Sequence, residues 1–87
     1  MKELERVFKA LANKRRLTII QFIKKSGEVK VGDVAAKIKL SFAATSRHLI
    51  VLYNADILEK EQRSLEMWYK LSSTMCGVVK QVVNSIE

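Results

Sequence analysis

The chain has one histidine, His48, and one cysteine, Cys76, so the side chains able to do chemistry beyond hydroxyls and charge are few. Hydrolysis or group transfer would need a nucleophile beside a base, or a glycine-rich phosphate cradle. Neither is readable in a sequence with three glycines and a single His, so no catalytic residue is assigned and no enzyme is expected. Zinc-type sites need three or four thiolate, imidazole or carboxylate donors at set spacing. One His and one Cys cannot supply the soft or imidazole donors, so no metal ligand and no cofactor are expected. Cys76 cannot close an intrachain disulfide; it could join its symmetry mate across a dimer or act as a lone redox thiol, and the favoured reading is a small apolar side chain packing in the last helix. What remains is charge: 16 Lys and Arg against 9 Asp and Glu give a net +7. That balance points to a polyanionic partner. Arg47 with Ser46 is the pair best suited to read bases, because the parallel donors of Arg match the acceptors of guanine.

Such side chains need a rigid element to present them. Leu4, Val7, Phe8 and Leu11 follow the helical spacing i, i+3, i+4, i+7 and predict a first helix. Asn13 caps a second helix to about Lys25, whose apolar face is Leu17, Ile20 and Ile23 or Ile19, Phe22 and Ile23. Lys14, Arg15 and Arg16 crowd its first turn, where the helix dipole disfavours cations, and stability does not explain them. Glu28 to Lys30 predict a short extended piece, and Asp33, Val34, Ala35 and Ile38 a short third helix. Ser41 caps a fourth, with Thr45, Leu49 and Leu52 buried and Phe42, Ala43, Ser46, Arg47 and Ile50 largely on the other side. The rhythm then changes to alternation, with two strands around Leu58–Gln62 and Met67–Leu71 joined near Arg63 to Leu65. From Ser73 a last helix carries Met75, Val78, Val79, Val82, Val83 and Ile86.

Size and composition set the limits of the whole. Eighty-seven residues allow one domain, expected over residues 1–87, and a chain this short buries only ~60–65% of its unfolded surface. An oligomer interface would add burial, and the first and last helices carry more apolar surface than so small a core needs. Leu4, Val7, Leu11, Met75, Val79, Val82 and Ile86 are the expected dimer contacts. Three Gly and no Pro argue against a many-turned β fold. The opening MKELERVFKAL has acidic residues where a signal peptide would be apolar, which with the lone cysteine favours a cytoplasmic location. The longest apolar run, Leu49 to Tyr53, is far short of the ~18–20 residues that span a bilayer, so no membrane partner is expected.

The order of helices closed by a hairpin is that of a winged helix-turn-helix, mainly α with a small β-hairpin, in which one helix enters the DNA major groove. The stretches VFKALANKRRLTII and VGDVAAKIKLSFAATSRHLIVLYNADIL, and the hairpin ending MWYKL, resemble the ArsR-type family of dimeric winged-helix transcriptional repressors over about residues 4 to 72. The matches are Leu11, Ala12, Arg16, Leu17, Ala35, Leu40, Ser41, Ser46, His48, Leu49, Val51 and Leu52. The resemblance implies a repressor bound to double-stranded DNA as a homodimer. Metal-sensing relatives carry a cysteine pair on the third helix or Asp and His on the last; here the first place reads GEVKVGDVAA and no His follows His48. Lys39 stands where the family has a turn Gly, at a cost of ~1 kcal/mol if φ is positive or with a remodelled turn. Ser64 replaces the wing-tip Gly, which predicts a longer loop or another turn type. Glu59 and Glu61 replace basic residues and should weaken the wing's grip on phosphate.

Together these readings predict a non-metal-responsive repressor on a palindromic operator. Ser41, Phe42, Ala43, Ser46 and Arg47 would face bases or adjoining phosphates, and His48 would pack or bond near the DNA backbone. Lys37, Lys39, Lys60 and Arg63 would supply charge to that backbone. The alternative is a winged-helix protein–protein interaction module whose basic surface reads no operator.

Overall fold

The computed structural model describes residues 2–87. The elements run α1 (Lys2–Leu11), α2 (Lys14–Ser26), β1 (Glu28–Lys30), α3 (Val31–Ile38), α4 (Phe42–Asn54), β2 (Leu58–Arg63), β3 (Glu66–Leu71) and α5 (Gly77–Asn84). The expected domain span of 1–87 includes residue 1, which lies outside the described residues. Asn13 caps α2 by accepting from Arg16 N at 3.1 Å, as its position before the apolar run predicts. The short extended piece becomes an edge strand: β1 pairs antiparallel with β3, which pairs antiparallel with β2, in the order β1-β3-β2.

One face of each helix builds the core. Of the two faces open to α2, Ile19, Ile20 and Ile23 are buried while Leu17 stays 36% exposed. Thr45, Leu49 and Leu52 of α4 are all fully buried, as their spacing by four and three predicts. Val7, Ala10 and Leu11 enter from α1, Val79 and Val83 from α5, and Val29, Leu58 and Tyr69 from the sheet. Each fully buried Ile or Leu removes apolar surface worth roughly 1.5–3 kcal/mol, which fixes the face that α4 turns to the core.

One local expectation needs correction, and two that left alternatives open are decided. The last helix begins at Gly77 rather than Ser73, with Cys76 at the N-cap position. Ser72 and Thr74 are taken up elsewhere: both hydroxyls donate to the Asp56 carboxylate, at 3.1 and 2.9 Å, and Thr74 N donates to Ser72 Oγ at 3.1 Å. These bonds tie the chain after β3 to the corner between α4 and β2, so the first turn of a helix cannot form there. The α3–α4 turn is not remodelled by Lys39, which adopts φ 56°, ψ 51° and keeps the left-handed geometry glycine would favour. Leu40 N closes the turn on Ala35 O at 3.1 Å. The wing loop is no longer than usual either. Arg63 faces Glu66 across a loop of Ser64 and Leu65, with positive φ at Ser64 and not at Leu65, the pattern of a type II′ hairpin.

Candidate nucleic-acid interface

Helix α4 begins cleanly because Ser41 Oγ accepts from Ala44 N at 3.1 Å. Burial of Thr45, Leu49 and Leu52 turns the opposite side outward, where Phe42 is 62% exposed and Ser41, Ala43 and Arg47 are also exposed. Ser46 is half-buried beside them. Lys37, at the end of α3, and Lys39, in the turn, are exposed at the same end of the helix pair. Lys37 Nζ lies 5.9 Å from the Phe22 ring, so its stem is packed while its charge stays in water. Sequence reasoning and structure agree on which side of α4 is open.

His48 is half-buried and held from within the protein. Arg16 Nη1 is 3.3 Å from His48 Nδ1, and a guanidinium can only donate, so Nδ1 is the acceptor and the ring proton sits on Nε2. Burial lowers its pKa below the usual 6.5, and the positive charges of Arg16, Arg15 and Arg47 lower it further. A residue expected near the DNA backbone is therefore also a structural joint between α2 and α4. Arg16 itself is explained by stability, contrary to the expectation for its cation run. Its Nε donates to Ala10 O at 2.6 Å and Nη2 to Lys9 O at 3.0 Å, placing a guanidinium on the carbonyls at the negative end of α1. The sequence holds the signal for this only as a cation five residues past a helix end.

The wing separates two residues that were expected to act together. Cross-strand partners share a sheet face, so Lys60, opposite buried Tyr69, faces the helices, and its Nζ stands 4.3 Å over the Tyr53 ring of α4. Arg63 lies on the outer face, bonded to Glu61 and Glu28 and 5.1 Å over Trp68. In the free protein the charge expected to meet the backbone is held in an ion-pair network, and its pKa is raised by the bond to Glu61 first and by Glu28. Glu59 also turns outward, accepting from Ser73 N at 3.1 Å and pairing with Lys70 at 3.3 Å. The Ser73 backbone bond, then Lys70, holds its carboxyl below the usual range. The acidic substitutions on β2 thus lie on the face opposite Lys60.

The apolar residues assigned to a dimer divide in the same way. Val7, Leu11 and Val79 are buried in this chain's own core, and Met75 and Ile86 pack against it. Leu4 and Val82, each 38% exposed, remain outside, joined by Phe8 and by Val78, which sequence reasoning did not assign. Leu4, Val7, Met75 and Val79 line one cleft of about 420 Å³ between α1 and the start of α5.

Comparison with known proteins places this architecture. Residues 13–60 match the model of the arsR family of bacterial regulatory proteins. The transcriptional repressor SdpR of Bacillus subtilis (strain 168) is 28% identical over 72 residues, 83% of this chain and 79% of that protein. The structure of HlyU from Vibrio cholerae N16961 is 30% identical with a TM-score of 0.79, covering 95% of this chain and 86% of that one. A homodimeric winged helix-turn-helix DNA-binding domain from Mycobacterium bovis is 25% identical with a TM-score of 0.81, covering 95% of this chain and 73% of that one. These relatives are regulators and not enzymes. With the family match spanning both helices of the helix-turn-helix, this chain belongs to the ArsR family of winged-helix transcriptional regulators.

Proposed function

We propose that the chain represses transcription as a homodimer whose paired α4 helices read a palindromic operator in double-stranded DNA, without responding to metal. One observation carries the reading: the side of α4 opposite its buried stripe presents Phe42, Ala43 and Arg47 to solvent, flanked by Lys37 and Lys39. Ser41, Phe42, Ala43, Ser46 and Arg47 meet bases or nearby phosphates, while Lys37, Lys39 and Lys60 contact the backbone. His48 holds α4 in register for that contact. Residues 1–87 act as one unit with terminal helices for dimerisation, a reading supported by exposed Leu4, Phe8, Val78 and Val82 and by the homodimeric Mycobacterium bovis relative. The metal-independent reading rests on the donor set: among the described residues no three His, Cys, Asp or Glu side chains come together in a group fit for an ion.

Paired recognition helices must meet one side of the duplex, so the half-sites lie about one helical turn apart, ~34–36 Å or a multiple. Selection of bound duplexes from a random pool should return a two-fold symmetric sequence of that spacing. Equal affinity for selected and random duplex at every salt concentration would overturn operator reading and leave the protein-interaction module. Submicromolar zinc binding with a tenfold loss of operator affinity would overturn the metal-independent part.

A further inference from the structure

Charge in this molecule is sorted by surface. The five ion pairs among the described residues lie on α1, as Lys9–Glu5, and on the outer sheet face, as Lys30–Glu66, Arg63–Glu28, Arg63–Glu61 and Lys70–Glu59. Helices α2 and α4 contain no acidic residue at all. On the first turn of α2, Lys14 and Arg15 are exposed and no carboxylate lies within ion-pair distance of either. The free protein does not compensate them as it compensates Arg16, although cations at this end of a helix are unfavourable. They border a cleft of about 570 Å³ lined also by Asn13 and Thr18 and, from α3, by Lys37 and Ile38. The cleft lies near α4: Arg16, next along the chain, reaches His48 of α4 at 3.3 Å, and Lys37 leads into the Lys39 turn that precedes α4.

We propose that Lys14 and Arg15 of α2, with Lys37 across the cleft from α3, form a second phosphate-binding surface that grips the DNA backbone beside the stretch read by α4. The proposal rests on the DNA-binding reading above, which already gives Lys37 to the backbone, and adds to it Lys14 and Arg15 of α2, outside the helix-turn-helix pair. A duplex lying along α4 carries a row of phosphates past its ends, and an acid-free cationic cleft next to the helix is complementary to that row. Such contacts carry no sequence information, so this surface adds affinity and leaves base preference unchanged.

The test compares operator and random duplex over a salt series for the wild type, Lys14→Gln/Arg15→Gln, the charge-conserving Lys14→Arg/Arg15→Lys, and Lys25→Gln at the far end of α2. Each phosphate contact contributes about 0.9 to the log–log salt slope. The double Gln variant should therefore flatten the slope by about 1.8 per protomer while keeping the ratio of operator to random affinity. Arg and Lys in exchange should restore the slope, and Lys25→Gln should leave it unchanged. A double Gln variant with the wild-type slope, or a Lys25→Gln variant that flattens it as much per charge, overturns the proposal while DNA binding stands. A wild-type chain with no affinity for duplex DNA overturns the DNA-binding reading and this proposal with it.

Discussion

Arg47 and Lys60 differ in what surrounds them, and this sets what their removal should do. Arg47 stands free on the outer side of α4, whereas Lys60 sits over Tyr53 at the junction of wing and helix. Arg47→Ala should lower the preference for operator over random duplex by ~1–3 kcal/mol per half-site. Lys60→Ala should weaken both duplexes nearly equally; the reverse outcome in a paired titration would reassign the reading face. His48 yields a pH prediction whose sign follows from its lowered pKa. The unfolded chain binds the proton near pH 6.5 while the folded chain, with Arg16 donating to Nδ1, resists it. The stability this contributes is therefore complete above pH 6.5 and is lost as pH falls from there through the lower folded pKa. Denaturant midpoints should drop on acidification from about pH 7.5 to 5.5, and more for the wild type than for His48→Gln. Identical pH profiles for the two would remove His48 from the account.

At the scale of elements, α2 is the frame that holds the chain's two ends. Arg16 covers the last carbonyls of α1, and Lys24 Nζ donates to Val83 O and Asn84 O at 3.1 Å each and also to Ile86 O, at the end of α5. Two cations of one helix thus satisfy the exposed carbonyl ends of two others, the arrangement the helix dipole favours. Within α4 one compromise remains, since Thr45 is fully buried and its Oγ1 has no partner. An unsatisfied buried hydroxyl costs about 1–3 kcal/mol, so Thr45→Val should raise stability by on the order of 1 kcal/mol in a urea melt. A second compromise is Lys39, whose left-handed backbone costs about 1–2 kcal/mol relative to glycine, offset by about 0.4–1 kcal/mol of extra freedom that glycine gives the unfolded chain. Lys39→Gly should stabilise the fold by roughly 0.5–1 kcal/mol in the same melt; a destabilised variant would mean that the Lys39 stem packs in the native state.

Across the whole molecule, the acidic residues are kept away from α4 and from the start of α2. The acid is concentrated on the wing's outer face and on α1, and Lys14, Arg15, Lys37, Lys39 and Arg47, none of them in an ion pair, lie at the start of α2 and around α4. The exposed apolar residues Leu4, Phe8, Val78 and Val82 lie on the terminal helices. A homodimer joined there would leave both α4 helices free, and the prediction distinguishes core from interface. Val82→Glu with Leu4→Glu should give a folded monomer near 9.9 kDa by light scattering at micromolar concentration. Val79→Asp should instead unfold the chain, because it places a charge in the protomer's own core. A wild-type chain that scatters as a monomer would refute the interface.

Much of this was legible along the chain. Helical periodicity located α1, α2 and α4 and the buried stripe of α4, alternation located the hairpin, and the resemblance identified the family, because spacing and short motifs are properties of neighbouring residues. The start of α5 was not legible, since Asp56 competes for Ser72 and Thr74 from a position brought near only by the hairpin. Nor was the work of Arg16, whose partners Ala10 O and His48 come from either side of α2. The terminal stripes of α1 and α5 looked like surplus, and only packing determined that Val7, Leu11 and Val79 go inward while Leu4 and Val82 stay out. Lys60 and Arg63 look alike in the sequence, and the register opposite Tyr69 gave one to the helices and the other to Glu28 and Glu61. The sequence by itself determined which residues are apolar, charged or cap-forming and hence which elements form. Tertiary structure decided which charges are neutralised and which apolar faces remain open, because both depend on partners distant in the chain and the energy of a charge or a methyl group is set by what surrounds it.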